Sequence, residues 1–343
     1  MAGLFVQKHV EAVRAQGVDV QVLSAFTWRE FIRSWRLFRI LKRTWGLPDV
    51  VQLNVIHKQG LLALWLKWRY KIPFVIIEHW SGYLPENGQF MRLSAIKRKI
   101  YGKIASEAEA ILPVSEQLKE AMQKCGIKCA RWEKINNVVD DFFFADTKAQ
   151  NNVSTDSHNA GKPKTLLHVS CFDEKAKNVE GLLRAIKMLS ERKQGWQLVL
   201  VGSGVDYNEV RAYAQTLDLP EGVLRWTGEL TPRQVAQEMQ KADAFVLSSR
   251  YETYGIILAE AAAAGLPILS TPVGIAEDVA ALIVPQEVAQ NKPGKFAEFI
   301  ETILWPPKDK PLKTGLLDKD AFRAGTIGRQ LKDTYDNCLH NDI

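Results

Sequence analysis

Short runs of apolar residues alternate along the chain with longer segments whose apolar residues recur at helical spacing. This alternation of strands and helices is typical of parallel α/β layers. In the first half the apolar runs predict strands at 19–23, 50–54, 74–78, 110–114 and 134–137. In the second half they predict strands at 165–170, 197–202, 223–226, 244–248, 268–271 and 281–284. We therefore expect two parallel sheets, one in each half of the chain.

The predicted helices of the second half lie between its strands, at 179–192, 208–217, 231–241 and 256–264, and a last helix follows at 318–339. Residues 146–164 are rich in Asn, Ser and Asp, which is typical of a linker. A length of 343 residues also exceeds what one hydrophobic core usually supports. We therefore expect two domains, over residues 1–150 and 151–317.

Composition and charge narrow the class of protein. Hydrophobic residues make up 46% of the chain and charged residues 24%, as in globular proteins. The net charge of +6 favours anionic partners, such as phosphorylated small molecules or acidic lipid surfaces. No recognised nucleic-acid-binding module accompanies this charge, so we expect no nucleic acid partner.

The four cysteines are scattered and complete no zinc-binding set, so reduced thiols in a cytoplasmic protein are expected. We expect no signal peptide, and no apolar stretch reaches the roughly 18 residues that a membrane span needs.

Two glutamates, Glu252 and Glu260, stand eight positions apart across a predicted strand-to-helix junction. Glu252 lies on the loop that leaves strand 244–248, and Glu260 lies inside the following helix. The start of that helix near Gly255 leaves backbone N–H groups without partners, which makes an anion site. The arrangement suits a ligand that is part phosphate and part sugar. Glutamate pairs at this spacing are common, so an exposed glutamate beside an ion-paired one is the alternative interpretation.

The sequence around this pair resembles the retaining glycosyltransferases of family 4, which have the GT-B fold. In the second half the resemblance is carried by Lys177-Asn178, Leu198–Gly204, Trp226–Gly228, the glutamate pair and Ala264–Gly274. In the first half it is carried by Gly3–His9, Glu78–Trp80, Val114-Ser115 and Asn137–Asp140. Each segment is weak alone, but in this order and spacing they are specific and cover most of the chain.

The resemblance implies an α/β protein of GT-B fold, with two Rossmann-like, doubly wound parallel-sheet domains that face a cleft. Domain 1–150 is then the acceptor side, domain 151–317 binds the nucleotide sugar, and the last helix, within 318–343, packs back on the first domain. The family also has a strand before the helix that Gly3 enters, and this chain shows none there. Either the start is shorter than the native one or the first domain is built differently.

By the same resemblance, Lys177 contacts the donor diphosphate and Glu252 contacts the transferred sugar near the β-phosphate. Glu260 accepts hydrogen bonds from the ribose hydroxyls, which suits a carboxylate. His79, at the end of a predicted strand, contacts the donor sugar. We therefore expect Glu252, His79 and Lys177 to be catalytic and Glu260 to bind the donor.

The family places an arginine six residues before Lys177, where this chain has Cys171. Neutralisation of the diphosphate is then expected to depend more on Lys177 and on the backbone amides of Tyr254, Gly255 and Ile256. These three residues complete the phosphate side of the predicted donor site.

Gly202 and Gly204 follow a predicted strand and would allow the backbone to approach the nucleotide. An ordinary turn is the alternative, because glycine is common in turns. A dinucleotide-binding fingerprint is not complete here, since Tyr207 occupies the third glycine position.

Metal-dependent transferases carry an Asp-x-Asp triplet that binds a divalent ion. The chain has such a triplet at Asp318–Asp320, at the start of a predicted helix where aspartate commonly caps. We interpret it as a cap and expect neither a metal nor a cofactor.

The segment 28–45 carries six basic residues and one acid, with aromatic and aliphatic residues at near-helical spacing. Such a helix either rests peripherally on an anionic membrane or packs its aromatic face into its own domain and solvates its arginines.

Together these features predict transfer of a sugar, with retention, from a nucleotide-diphosphate sugar to a glycan or lipid-linked acceptor in cell-surface polysaccharide synthesis. The enzyme would act in the cytoplasm, at or near the inner face of the membrane. Two alternatives stay open: a nucleotide-sugar epimerase of the same architecture, and a non-catalytic nucleotide-sugar-binding subunit. Cys171 and the unseen first strand favour the binding subunit, whereas Lys177 and the glutamate pair argue against it.

Overall fold

The structure is a computed structural model that describes residues 2–24, 28–144, 163–307 and 318–340. Its internal contacts define two compact units. Unit 1 comprises residues 1–138 and 320–343, and unit 2 comprises residues 139–319. Most of the predicted linker, 146–164, lies outside the described residues, and the first strand after it begins at Lys164.

Unit 1 contains a three-stranded parallel sheet of β1 (Val51–Asn54), β2 (Phe74–Glu78) and β3 (Ala110–Pro113), in that order across the sheet. Every residue of β2 and β3 is buried, as expected for strands covered on both faces. The helices along this part of the chain are α1 (Ala2–Arg14), α2 (Trp28–Trp45), α3 (Gly60–Tyr70), α4 (Gln89–Arg92), α5 (Ala95–Glu107) and α6 (Glu116–Lys124).

Two predicted strands of this half are wrong. Residues 19–23 form no strand and have no sheet neighbour; Val22 is 55% exposed, and Leu23 packs partly buried against the cluster of Phe38, Leu62, Leu66 and Ile72. Residues 134–137 form no regular strand either. The chain instead runs beside β3 slightly earlier, with one parallel bridge between Ile111 and Trp132 and a hydrogen bond from Ile135 N–H to the Pro113 carbonyl at 3.1 Å.

Unit 2 contains a six-stranded parallel sheet whose spatial order is β6-β5-β4-β7-β8-β9. The strands are β4 (Lys164–Val169), β5 (Trp196–Val201), β6 (Leu224–Gly228), β7 (Ala244–Leu247), β8 (Ile268–Ser270) and β9 (Leu282–Ile283). The strand order reverses between β4 and β7, which is the topology of a doubly wound nucleotide-binding sheet. All six predicted strands of the second half are therefore confirmed, with small shifts at their ends.

The described residues of unit 2 form seven α-helices, of which the second to the fifth follow the predicted positions closely, whereas the first and the last two were not predicted. The seven helices are α7 (Glu174–Lys177), α8 (Val179–Ser190), α9 (Tyr207–Gln215), α10 (Pro232–Lys241), α11 (Ile256–Ala263), α12 (Gln286–Asn291) and α13 (Pro293–Leu304). The start of α10 shows why the prediction was accurate: Thr231 and Gln234 form a reciprocal capping box, and Pro232 occupies the first turn.

The core of unit 2 lies between its sheet and the helices on either face. Leu166 and Leu200 of the central strands pack with Leu182 and Ile186 of α8, and all four are fully buried. Each such side chain stabilises the fold by about 1.5–3 kcal/mol relative to an exposed one.

The last helix, α14 (Ala324–His340), packs against α1 within unit 1. The prediction that this helix begins at Asp318 is wrong by six residues. A short 3-10 turn at Lys319–Phe322 precedes it, where the Arg323 side chain donates to the Asp320 carboxylate at 3.2 Å. Asp320 therefore belongs to a turn before the helix and not to its first turn.

Side chains of α14 also satisfy the backbone and side chains of the segment beside β3. Gln330 donates to the Lys134 carbonyl at 2.8 Å, and Thr334 donates to the Glu133 carboxylate at 3.0 Å. Because that segment makes few ladder hydrogen bonds of its own, these contacts hold it on the unit.

The backbone of α14 comes close to the backbone of α1 at Gly328. A Cβ at this position would lie 2.3 Å from the Ala12 carbonyl oxygen, so Gly328→Ala must displace one helix. We expect Gly328→Ala to destabilise the protein by about 1–3 kcal/mol, as overpacking does. The midpoint of urea unfolding, followed by circular dichroism, measures this loss.

Gly325→Ala, in the same helix, is the matched control, because only the Arg329 side chain lies near its added Cβ, at 3.8 Å. This change should be neutral or slightly stabilising, since alanine favours helix. Equal unfolding midpoints for the two variants would contradict the close helix contact.

Candidate active site

The predicted donor-site residues of unit 2 lie on loops and helix starts that follow the carboxyl ends of its parallel strands. Lys177 follows β4, and Glu252 follows the neighbouring strand β7. The strand order reverses between these two strands, and the connections leaving such a point open a crevice where ligands of doubly wound sheets bind. Two residues separated by 75 positions are thereby brought together.

Lys177 and Glu252 form a largely buried ion pair. The Lys177 Nζ lies 2.5 Å from the Glu252 Oε1, and each side chain is only 14% exposed. The Ser249 hydroxyl donates to the same oxygen at 2.8 Å. Burial alone would lower the pKa of Lys177, but the Glu252 carboxylate raises it above its ordinary value, so the lysine stays charged.

The helix that carries Lys177 has only four residues and is held at both ends by its surroundings. At its start, Asp173 accepts from the Ala176 N–H at 3.3 Å, and the Glu174 N–H donates to Asp206 at 2.7 Å. At its end, Asn178 adopts a left-handed conformation with φ 51°, fully buried, and its amide donates to the Ala289 carbonyl at 3.2 Å.

Arg250 joins this short helix to the loop that carries Glu252. Its guanidinium donates to the Asn178 side-chain oxygen at 2.8 Å and contacts both the carbonyl and the carboxylate of Glu174. Its backbone N–H donates to the Ala176 carbonyl at 2.7 Å. The Ser248 hydroxyl adds a hydrogen bond to the Lys177 carbonyl at 2.9 Å. Sequence analysis did not single out Arg250, although it lies two residues from Glu252.

The loop from Tyr254 to Ile256 forms the start of α11. Gly255 precedes the helix with φ 75°, and the Leu258 N–H bonds back to the Gly255 carbonyl at 2.8 Å. The backbone N–H groups of Ile256 and Ile257 are therefore the first of the helix and have no acceptor within it. Tyr254 is buried, and its carbonyl accepts from the Ile275 N–H at 3.0 Å. Glu260 lies partly exposed in the next turn of α11.

Gly202 and Gly204 pack against the backbone that leads into α7. A Cβ on Gly202, whose φ is 127°, would lie 1.9 Å from the Ser170 carbonyl oxygen. A Cβ on Gly204 would lie 2.5 Å from the backbone of Phe172. The need for glycine at these two positions is thus explained by protein packing, and their predicted contact with a nucleotide stays a prediction.

His168 lies beneath this site, fully buried between β4 and β7. Its Nδ1 bonds the Val246 carbonyl at 3.0 Å, so Nδ1 carries the proton, and Nε2 accepts from the Ser170 hydroxyl at 2.9 Å. Burial lowers the pKa of His168 to about 4, although the hydrogen bond to the Val246 carbonyl raises it. His168 is therefore a neutral structural group that fixes one strand to the next.

His79 belongs to unit 1, where it follows β2 and has its own surroundings. Its ring stacks on Phe5 of α1 at a centroid distance of 6.1 Å and lies 5.9 Å from the ring of His9. His9 Nε2 donates to the Asn136 carbonyl at 3.2 Å, and burial lowers the pKa of His9 to about 4. The pKa of His79 falls to about 3, through burial and then the proximity of His9. Both rings are neutral at physiological pH.

Two nitrogens of this histidine pair are buried and have no hydrogen-bond partner among the described residues: His9 Nδ1 and His79 Nε2. Buried polar atoms are usually satisfied, so such a pair favours a ligand or water at this point. His9 lies within the Gly3–His9 segment that carried the family resemblance, but no role was predicted for it.

Glu78, the last residue of β2, is a fully buried carboxyl group. One oxygen accepts from the Ile56 N–H at 3.0 Å, and the other accepts from the N–H groups of His79 at 2.9 Å and Trp80 at 2.8 Å. Burial raises the pKa of Glu78 to about 7, although the three N–H groups oppose this rise. Glu78 thus ties the end of β1 to the turn that carries His79.

Among residues 2–24, 28–144, 163–307 and 318–340, no group of three or more His, Cys, Asp or Glu side chains is arranged to hold a metal ion. Within the same ranges, no helix has the length and apolar character needed to cross a bilayer.

Two family sequence models match the chain. Residues 150–311 match the model of Glycosyl transferases group 1, and residues 5–141 match the model of Glycosyltransferase Family 4. The chain is 26% identical over 245 residues to the alpha-monoglucosyldiacylglycerol synthase of Streptococcus pneumoniae, covering 68% of this chain and 55% of that protein. It is 28% identical over 202 residues to the phosphatidyl-myo-inositol mannosyltransferase of Mycolicibacterium smegmatis, which covers 57% of this chain and 45% of that protein.

A third relative is the lipopolysaccharide 1,6-galactosyltransferase of Escherichia coli K12, 25% identical over 178 residues, which covers 51% of this chain and 46% of that protein. The chain thus spans about half the length of these relatives.

Solved structures show the same fold. HepE of Anabaena in complex with UDP and glucose aligns with a TM-score of 0.63 at 16% identity, over 93% of this chain and 86% of that chain. Sucrose-phosphate synthase of Thermosynechococcus elongatus aligns with a TM-score of 0.66 at 17% identity, over 98% of this chain and 90% of that chain.

The two α/β units with their parallel sheets, and these structural likenesses, define a GT-B fold. Because both halves also match their family models, the chain belongs to the GT-B glycosyltransferases of the family 4 type. The fold class and the family expected from the sequence are confirmed.

The raised pKa of Glu78 predicts a pH-dependent stability. In the unfolded chain the carboxyl group has a pKa near 4.5, and in the folded protein near 7, so the folded state holds this proton more tightly. The stability that Glu78 contributes is therefore complete below pH 4.5 and is lost as the pH rises through 7. In the parent protein up to about 3 kcal/mol of unfolding free energy should be lost between pH 5 and pH 8, and Glu78→Gln should not show this loss. Urea unfolding across this pH range measures it.

Glu86→Gln is the control, because Glu86 is an exposed carboxylate in the same unit. It should keep the pH dependence of the parent protein. If Glu78→Gln kept it too, the buried carboxyl group would not be the titrating group.

The contacts of Arg250 predict that it is needed to hold α7. Arg250→Ala removes donors from Glu174 and Asn178 and should cost about 2–4 kcal/mol of unfolding free energy, since hydrogen bonds to charged groups are strong. Arg250→Lys should restore little, because an ammonium lacks the planar fork that reaches both partners. Thermal and urea unfolding measure these changes.

Arg211→Ala, at an exposed arginine of α9, is the matched control and should change stability by less than about 0.5 kcal/mol. A lysine variant of Arg250 as stable as the parent would show that charge alone holds the helix.

Proposed function

We propose that this protein is a retaining, metal-independent glycosyltransferase that uses a nucleotide-diphosphate sugar as donor. The observation that carries the proposal is the Lys177–Glu252 ion pair at the strand-order reversal, beside the start of α11. A cation, a carboxylate and open backbone amides meet there at the point of a doubly wound sheet where nucleotides bind.

In this proposal the diphosphate binds to Lys177 and to the amides at the start of α11. Lys177 is already bonded to Glu252 at 2.5 Å, so an arriving phosphate competes with that carboxylate for the ammonium. As the lysine turns toward the phosphate, Glu252 becomes available to accept a hydroxyl of the transferred sugar. The ion pair therefore keeps both groups in place and charged before the donor binds.

The remaining contacts follow the family pattern. Glu260, one turn into α11, accepts the ribose hydroxyls, and Gly202 and Gly204 shape the floor of the nucleotide site. The ring of His79 is neutral, so it contacts the donor sugar through hydrogen bonds and not as a charged group. A neutral imidazole with an unsatisfied buried nitrogen suits a sugar hydroxyl.

Retention is proposed to proceed by attack of the acceptor on the face that the diphosphate leaves. The departing phosphate then takes the proton of the acceptor hydroxyl, and the bond to the new oxygen forms as the bond to phosphate breaks. Negative charge grows on the diphosphate in this step, so Lys177 and the helix-start amides stabilise the transition state most.

We further propose a glycan or lipid-linked acceptor and a role in cell-surface glycolipid or polysaccharide synthesis. Support comes from the names of two relatives, a synthase of alpha-monoglucosyldiacylglycerol and a lipopolysaccharide 1,6-galactosyltransferase. Acceptors of this kind are presented at a membrane, and we propose that the reaction takes place in the cytoplasm at its inner face.

The helix α2 is the proposed peripheral membrane contact. Its buried face is formed by Phe31, Ser34 and Phe38, so part of its aromatic side packs into unit 1. The opposite side keeps its arginines exposed together with Ile32, 59% exposed, and Ile40, 55% exposed. Basic side chains with interspersed exposed apolar groups suit an anionic bilayer surface.

The direct test is incubation of the purified protein with a panel of nucleotide sugars, first by thermal shift and then with lipid and glycan acceptors in EDTA. Donor binding should raise the melting temperature in proportion to occupancy, and Glu260→Gln should reduce that rise. Transfer should persist in EDTA, and the product should keep the anomeric configuration of the donor.

Three outcomes would contradict the proposal. Epimerised donor formed without an acceptor would favour an epimerase. Donor binding without turnover on any acceptor would favour a binding subunit. Loss of activity in EDTA that Mn²⁺ restores would show that a metal, and not Lys177 with the amides, neutralises the diphosphate.

The substitution Lys177→Ala tests the charge assignment. Since Cys171 stands where the family has an arginine, Lys177 carries an unusually large share of the developing charge. We expect kcat to fall by about 10²–10³-fold with a smaller change in KM, because the charge is largest in the transition state. Steady-state kinetics with saturating acceptor measure both.

Cys171→Arg should partly rescue this variant, because Cys171 is exposed and lies close enough to Lys177 to act on its pKa. Lys175→Ala, at an exposed lysine of the same short helix, is the control and should leave kcat unchanged. Near-normal kcat for Lys177→Ala would move the phosphate site elsewhere.

A further inference from the structure

An apolar groove runs over the surface of unit 1 between α3 and α5. It encloses about 290 Å³ and is lined by Leu61, Leu64, Trp65, Trp68, Ile100 and Lys103. Five of these six side chains are apolar. None of the site residues described above lines the groove.

The groove lies on an exposed apolar face. Trp68 is 55% exposed, Ile100 is 38% exposed, and Ile96 on the preceding turn of α5 is 73% exposed. Residues four apart on a helix share a face, so Ile96 extends the groove along α5. Contiguous apolar surface of this kind marks an interaction site more often than scattered single residues do.

A polar pocket adjoins the groove across Trp68. It encloses about 330 Å³, and its lining includes Lys67 and Lys71, Glu107 and Glu109, and Trp68 itself. Lys67 is held by the Glu107 carbonyl at 2.6 Å and the Glu109 carboxylate at 2.8 Å, whereas Lys71 is exposed at the end of α3. Trp68 thus separates an apolar slot from a polar one, as an aromatic residue at a membrane interface does.

The charge of the surrounding surface identifies the occupant. Residues 28–107, which include α2, α3 and α5, contain 15 Lys and Arg but five Asp and Glu. Lys97 and Lys99 flank Ile100 on α5 and are exposed. A protein partner that is merely apolar would not need this excess, whereas an anionic lipid surface offers both acyl chains and negative head groups.

The groove is continuous with the proposed membrane helix. Trp65, which lines the groove, lies 5.0 Å from Trp35 and 6.0 Å from Phe38 of α2, measured between ring centroids. The packed face of α2 and the groove between α3 and α5 are therefore joined through Trp65 within unit 1.

We propose that the groove between α3 and α5 binds an acyl chain of an anionic phospholipid at the bilayer surface, with Trp68 at the boundary between chain and head group. The inference rests on the membrane contact in the proposed function and adds a second, apolar anchor to the electrostatic one. Stable attachment of a peripheral protein commonly takes two such signals.

The test uses the full chain with vesicles of brominated phosphatidylglycerol, whose acyl bromines quench tryptophan emission, and with brominated phosphatidylcholine as the neutral comparison. We expect binding and quenching with phosphatidylglycerol only. Trp68→Phe should bind phosphatidylglycerol vesicles as the parent does, but it should lose the part of the bromine quenching that comes from Trp68 emission. The double variant Leu61→Ser with Ile100→Ser should bind at least about tenfold more weakly, a change of about 1.4 kcal/mol.

The matched control is Val205→Ser, at an exposed apolar residue of unit 2 that is 80% exposed, and it should bind as the parent does. The double variant Arg33→Gln with Arg36→Gln on α2 should bind the vesicles more weakly. In the fraction that does bind, Trp68 should contribute the same share of the quenching as in the parent protein. No binding, equal binding to phosphatidylcholine, unchanged quenching in Trp68→Phe, or parent-like binding by the groove variant would each overturn the proposal. No nucleotide sugar is present, so these results do not depend on transferase activity.

Discussion

The attachment of a four-residue helix to the loop after β7 determines the geometry of the unit 2 site. A helix as short as α7 does not hold itself, because its few internal hydrogen bonds do not offset the entropy of ordering it. Its position comes instead from the contacts of Arg250 and Ser248 with its backbone and with the Asn178 side chain. Those contacts bring Lys177 within 2.5 Å of Glu252, although the two residues follow different strands. If the proposed donor binds at this point, its binding depends on side chains that do not themselves reach the donor.

Burial determines the charge state of the groups around both candidate sites. His9, His79 and His168 all have pKa values far below physiological pH, and Glu78 has one near 7. The histidines consequently act as neutral hydrogen-bonding groups, and none supplies the positive charge that a diphosphate needs. In the proposed function that charge comes from Lys177, which the Glu252 carboxylate keeps protonated, and from the backbone amides at the start of α11.

The sequence was sufficient for the second half of the fold and less so for the first. Its strands and helices there have strong local signals, such as the capping box at Thr231, and a parallel sheet buries each strand as a continuous apolar run. The errors at 19–23 and 134–137 arose because alternating valines or a single apolar run do not reveal whether a neighbouring strand exists. Lys177 and Glu252 were found by resemblance, but their ion pair was not, since spacing along the chain does not give distance. Glu78 was missed because its role lies in bonds to backbone atoms, and Arg250 because its partners, Glu174 and Asn178, lie more than 70 positions away in the sequence.

The charges of the chain are divided unequally between its two units. Residues 1–138 and 320–343 contain 25 Lys and Arg against 15 Asp and Glu, whereas residues 139–319 contain 20 against 24. An anionic surface therefore attracts one unit and repels the other, over a range of about 8 Å at physiological ionic strength. The field exerts a torque on the approaching molecule, so it is oriented before any side chain touches the surface. Raising the salt concentration would shorten that range and make the first encounter close to random in orientation.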